Sequence, residues 1–205
     1  MSVVHMLDTL TEWARQNICE QIKLKVPPEN TAPDDSGYAY NLATPAAFAM
    51  YVPTSDKLSP GIHAPFPSLC VRFVTGQDVP AEGSGSVEVQ LCFSAWNPGT
   101  HGEDVFLPNG DGTMHRWTGE DADAYFKRNG DGWRDAWNFV DIALRAVESV
   151  TNIGGYAIDR AKSVKFGPLT EQEAIPDFYP MWFAWVSFTV NYPLRRNIQG
   201  IQKFL

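Results

Sequence analysis

The chain has 205 residues, 44% hydrophobic and 20% charged, with a net charge of −8. That length suits one domain with elaborations and buries roughly 70% of the unfolded surface, so no staple is needed. The acidic balance argues against a general nucleic-acid binder, which needs basic patches to displace counterions; it still suits a protein that DNA slides past without sticking.

Seven tryptophans are many for this length. They imply a rich core or surface buried against partners. Cys19, Cys70 and Cys92 form no CxxC or Cys/His cluster. They read as buried structural thiols. No signal-peptide pattern is present, and no apolar run approaches the about 20 residues of a membrane span. A protein held in a reducing cytosol until it is assembled or released is expected.

In chain order, Ser2 to about Lys25 reads as a helix. Leu7, Leu10, Ala14, Ile18 and Ile22 recur at spacings of three and four. Pro27-Pro28 then supplies a stop. Residues 29–67 carry prolines, polar residues and one apolar island, Phe48–Val52. They read as a long insertion with one short strand or hairpin, either functional or simply a surface loop.

Phe66–Val74 and Val87–Trp96 read as an antiparallel pair of strands. Thr75–Ser86 between them is Gly-, Pro- and Ser-rich, too long for a tight hairpin. Residues 97–131 form a second insertion. Its Asn109-Gly110-Asp111-Gly112 and Asn129-Gly130-Asp131-Gly132 runs invite a calcium reading. However, Met114 stands where the calcium loop needs glycine, and such pairs are ordinary turn formers. His101, Asp104, His115 and Asp121 lack the spacing of a metal site. No metal and no cofactor are expected. A short helix over 120–127, capped by Thr118, fits the same stretch.

Residues 133–150 read as the main helix. Trp133, Trp137, Val140, Leu144 and Val147 form its stripe, which points to packing on a sheet, with Asp131 as N-cap or first-turn acid and Gly154-Gly155 beyond its end. Tyr156–Ile158 and Ser163–Gly167 are short strands, followed by an acidic loop with Glu171, Glu173 and Asp177. Tyr179–Pro193 is the strongest strand. Trp182, Ala184, Val186, Phe188, Val190 and Tyr192 alternate with Met181, Phe183, Trp185, Ser187, Thr189 and Asn191. The second set starts aromatic and ends polar, so that face should be covered at one end and wet at the other. Residues 194–205 form a basic, partly apolar tail.

These elements predict an α+β fold. It would be one domain over 1–205, with an antiparallel sheet of four to five strands, the main helix and an N-terminal helix over 2–25. No GxSxG, P-loop, HExxH or GxGxxG motif occurs in a fitting context, so no enzyme is expected. A glycosidase-type carboxylate pair is defined by its separation in space, which a sequence does not carry.

Four pieces occur in the order found in tail-associated proteins of tailed phages and prophages of Gram-positive bacteria. They are Phe66–Phe73 followed by Gly76; the strand Val87–Phe93; Asp131-Gly132-Trp133-Arg134-Asp135 leading into the main helix; and Tyr179-Pro180-Met181-Trp182-Phe183. In this the chain resembles tail terminator, or tail-completion, proteins of the head–tail junction. The resemblance spans residues 66–196 in outline and the N-terminal helix loosely, with longer insertions here. It implies a structural virion protein without chemistry. Copies would form a ring, typically a hexamer, that caps the tail tube, ends its polymerisation and meets the neck or connector proteins. DNA would pass through the lumen, and no membrane would be involved. Another phage neck, head-completion or tube-like component, or a carbohydrate-binding module, are the alternative readings.

On that footing the candidate residues are interface residues. Phe183 and Trp185 would pack on a helix or a neighbouring subunit. Arg195, Arg196 and Lys203 would pair with acidic neighbours. Glu171, Glu173 and Asp177 would line a lumen or meet those bases. Ordinary core aromatics and solvated charges are the plain alternative.

Overall fold

The computed structural model describes residues 2–27, 41–60, 62, 64–97, 106–108, 114–116, 132–171, 174–176 and 178–194. In chain order the strands are β1 (Leu24–Val26), β2 (Asn41–Ala43), β3 (Ala46–Ala49), β4 (Ser68–Val79), β5 (Ser84–Trp96), β6 (Phe106–Pro108), β7 (Met114–Arg116), β8 (Asn152–Ile153), β9 (Tyr156–Ile158), β10 (Lys165–Pro168) and β11 (Met181–Pro193). The two α-helices among the described residues are Val3–Asn17 and Trp133–Ser149. The fold is α+β, with a mostly antiparallel sheet.

The alternation of Tyr179–Pro193 makes β11 the spine of that sheet. β11 pairs antiparallel with β5 over its full length, from Met181 opposite Trp96 to Pro193 opposite Ser84. The sheet runs β3-β4-β5-β11-β9-β8, and β10 also pairs with β11. These are seven strands rather than four to five. The additions are short: β8 follows directly on the helix end, and β3 uses the apolar island, pairing parallel to β4.

Both helices cover one face, so the core is a single layer between them and the sheet. Met6, Leu10 and Ala14 of the first helix are buried there with Val89, Leu91 and Phe93 of β5 and Val186, Phe188 and Val190 of β11. The main helix ends at Ser149. Its buried positions are Ala136, Phe139, Val140, Ala143 and Val147. The small alanines let the helix approach the strands, and the Phe139 ring fills the gap against Phe93 at 4.7 Å. Trp133 and Trp137 therefore flank the core instead of forming it, and Trp133 is 39% exposed.

Two boundaries depart from the sequence expectation. The first helix stops at Asn17, not near Lys25. Ile22-Lys23-Leu24-Lys25-Val26 alternates apolar and charged, and its last three residues become β1, paired with β2. The β4–β5 connection is four residues, Pro80–Gly83, rather than twelve. Gly83 there takes a left-handed φ of 62°, which glycine adopts without strain. Thr75–Val79 is strand, but the ribbon there is mostly exposed and its polar residues imitate a turn. Val74 forms a bulge in it. Near its tip the Tyr192 ring lies over Gly85, where a Cβ would stand 2.6 Å from the ring, and the Tyr192 hydroxyl donates to Asp78 at 2.7 Å.

In the second insertion, β6 and β7 pair with each other. The two Asn-Gly-Asp-Gly runs up to Asp131, Thr118 and the 120–127 helix lie outside the described residues. Gly132, and not Asp131, occupies the N-cap of the main helix, with Asp135 as its first-turn acid. The strand expected over 163–167 forms at Lys165–Pro168.

Candidate interaction surface

The start of β11 and the start of the main helix meet β5 at one end of the sheet. Asn97, just past β5, holds the junction together. Its backbone N–H donates to the Pro180 carbonyl at 3.0 Å, and its carbonyl accepts the Trp182 indole N–H at 2.8 Å. Its side-chain amide donates to Asp135 at 2.7 Å and accepts from Lys25 at 2.9 Å. Gly132 sits where a Cβ would lie 2.0 Å from the Asn97 carbonyl oxygen, so only glycine allows this approach.

Asn97 thus stands between a base and an acid. Burial raises the Asp135 carboxyl, while the Asn97 hydrogen bond and Lys25 pull the other way. Burial lowers Lys25, with Asp135 opposing. For both groups, loss of water outweighs mutual attraction, as expected when a bridging amide separates a partly buried pair.

Stability should depend on pH as a result. The folded Asp135 pKa stands above the ordinary 3.8, so the folded chain holds this proton more tightly than the unfolded chain. The resulting stability is complete below that ordinary value and is lost as pH rises through the raised one. Asp135→Asn removes it. In urea unfolding at several values between about pH 3 and pH 7, the parent's advantage over the variant should be largest in acid and decline with rising pH. A pH-independent difference would contradict the burial assigned to Asp135.

Beside the junction lies an apolar groove of about 270 Å³, lined by Trp133, Trp137, Leu169, Ile175, Phe178 and Phe183 among others. Several of these are bare. Ile175 is 70% exposed, Phe178 47% and Leu169 42%. Tyr179 beside it is also exposed and meets Trp182 edge-on at 6.3 Å. A contiguous apolar patch of this kind marks an interaction site more often than a scattered exposed residue does.

The expected site residues are divided by the structure. Phe183 lines the groove, half-buried, with edge-on ring contacts to Phe66 at 6.4 Å and Phe178 at 5.6 Å. Trp185, also half-buried, packs on Gly167 and donates to the Pro168 carbonyl at 2.9 Å. Within one copy, loop residues Phe66 and Phe178 meet Phe183 and β10 meets Trp185, while Trp133 and Trp137 of the main helix line the same groove as Phe183. Glu171 is exposed beside the groove, in a tight turn closed with Ala174. Glu173, Asp177, Arg195, Arg196 and Lys203 lie outside the described residues.

The polar end of the same face is not the wet wall that its residue types predict. Ser187 and Thr189 are only 3% and 8% exposed. They floor a second groove, of about 410 Å³, whose sides include Gln77, Glu88, Lys162 and Lys165. The chain after β9 folds over them, tied by the Asp159 N–H to the Thr189 carbonyl at 2.9 Å.

All three cysteines are free thiols, with Cys19 and Cys70 buried. Burial pushes Cys19 up to about 12 and Cys70 to about 11, which suits packing rather than reactivity. Among the described residues, no group of three His, Cys, Asp or Glu side chains is placed to hold a metal, and no helix is long and apolar enough to cross a membrane.

Asn97, Gly132 and Ile175 do not stand out in the sequence as site residues. Asn97 and Asp135 are 38 residues apart and leave no periodic trace. Ile175 and Phe178 leave no period either; their one signal is bulky apolar side chains inside an otherwise acidic loop.

The chain matches no family model and no curated protein.

Proposed function

We propose that this protein is a structural virion component of the tail-terminator kind. Copies close into a ring on the end of the phage tail tube, stop its growth and meet the neck proteins at the head–tail junction. The protein performs no chemistry, and DNA crosses its lumen only in transit.

One observation carries the reading. The four sequence pieces of the resemblance are neighbours in space. Val87–Phe93 is flanked by the strands that follow Pro67 and Pro180. Gly132 lies against Trp182, and Phe66 against Phe183. Together they form one module that ends at an exposed apolar groove, the kind of surface a ring contact buries. The net charge of −8 suits a conduit that must not retain DNA.

The test is assembly of the cognate tail-tube protein with and without this chain, imaged by negative-stain electron microscopy. Tubes should stop growing and carry extra density at one end. Tubes that lengthen unchanged, with bare ends, would overturn the proposal.

A further inference from the structure

The apolar groove needs an occupant, and the chain itself contains a matching one. Residues 195–205 place Ile198, Ile201 and Phe204 three apart, among Arg195, Arg196 and Lys203, with no acid. The loop sequence over 169–178 has the opposite charge, with Glu171, Glu173 and Asp177 and no base. Apolar spacing and sign both suit a basic, apolar segment laid into a groove that Leu169, Ile175 and Phe178 of this acidic loop line.

Distance decides whose segment it is. Residues 195–205 leave from Leu194, whose N–H is tied to the Gly83 carbonyl at 2.8 Å. That point lies just past Pro193, whereas the groove lies at Met181 and Phe183, the opposite end of β11. At about 3.3 Å per residue the ends of β11 are roughly 40 Å apart. Eleven residues drawn out completely reach about 36–40 Å. Ile198, Ile201 and Phe204 stand four, seven and ten residues past Leu194 and reach at most about 14, 25 and 36 Å, so all three fall short of the groove of their own copy.

We propose that Ile198, Ile201 and Phe204 of one copy occupy the groove between Trp133, Leu169, Ile175 and Phe178 of a second copy. The donor segment and the acceptor groove are different surfaces, so every copy has one of each to offer its neighbours. It holds for any self-assembling role of the chain and does not require the tube-capping reading.

The test uses the full chain with a photoreactive amino acid at position 201, mixed with an isotopically heavy copy and irradiated at high concentration. Mass spectrometry should find the light 195–205 segment joined to the heavy peptide that contains Ile175. Ile175→Asp in the heavy copy should lower that yield about tenfold or more, because a charge replaces an apolar side chain that the contact would bury. Ile175 is 70% exposed, so this variant should keep its fold, checked by circular dichroism. Cross-links confined to the labelled chain, joined elsewhere on the partner, or absent would overturn the proposal. So would a yield indifferent to Ile175→Asp. Tube capping that fails while the cross-link persists would count against the tail-terminator role alone.

Discussion

Phe139→Ala is expected to lower the unfolding free energy by about 4 kcal/mol. Phe139 is fully buried in the middle of the main helix, and its ring meets Phe93 at 4.7 Å with planes tilted by 49°. Truncation removes the transfer energy of the ring and leaves a cavity between helix and sheet. The flanking Ala136 and Ala143 are too small to fill it. The aromatic pair contributes a further roughly 1 kcal/mol of geometry-specific contact. For a chain of this size the melting temperature should fall by about 8–16 °C. Trp133→Ala on the same helix is the control. Trp133 is larger but 39% exposed, so its loss should cost well under half as much. Equal losses at the two positions would mean the helix is rotated, with the tryptophans facing the sheet.

Gly132→Ala is expected to cost about 3 kcal/mol, although its backbone strains no ordinary residue. Gly132 has φ −57° and ψ −26°, which any residue adopts. The difficulty is space. An added Cβ would stand 2.0 Å from the Asn97 carbonyl oxygen and 2.6 Å from the Trp182 indole nitrogen. The helix start has to move away, and the Trp182–Asn97 hydrogen bond goes with it. Forced overpacking costs about 1–3 kcal/mol and a lost hydrogen bond about 1 kcal/mol. Urea denaturation measures the sum. A variant as stable as the parent would show that the junction has slack.

The legible part of this molecule is the part with a period. The alternation of β11 and β5 marks their apolar faces correctly, because one face of each lies under helices and the other does not. Where two periods overlap, the longer signal misleads. Ile18 and Ile22 extend the helical stripe, yet Ile22, Leu24 and Val26 also alternate, and pairing with β2 takes Leu24–Val26 into a strand. The outer end of the β4–β5 ribbon loses its pattern for a different reason. It runs past the helix layer, so Gly76, Gln77 and Asp78 are exposed and nothing selects apolar residues there. The junction at Asn97 is illegible because its partners come from three separate stretches, at Lys25, at Gly132 and Asp135, and at Pro180 and Trp182. The groove is half legible: its aromatic wall, Phe183, reads as an interface residue, whereas Ile175 hides in a loop whose charges dominate the pattern.

β11 has a mechanical consequence. An extended strand already stands at about 3.3 Å per residue, against a limit near 3.6 Å for any chain. It has almost no stretch left, whereas an α-helix at about 1.5 Å per residue could more than double its length. Tension entering at Leu194 and leaving at Met181 would run through covalent backbone clamped on both sides by its neighbours. Under load, a copy gripped at those two points would behave as a tie-rod of fixed length, and any give would have to come from the grips.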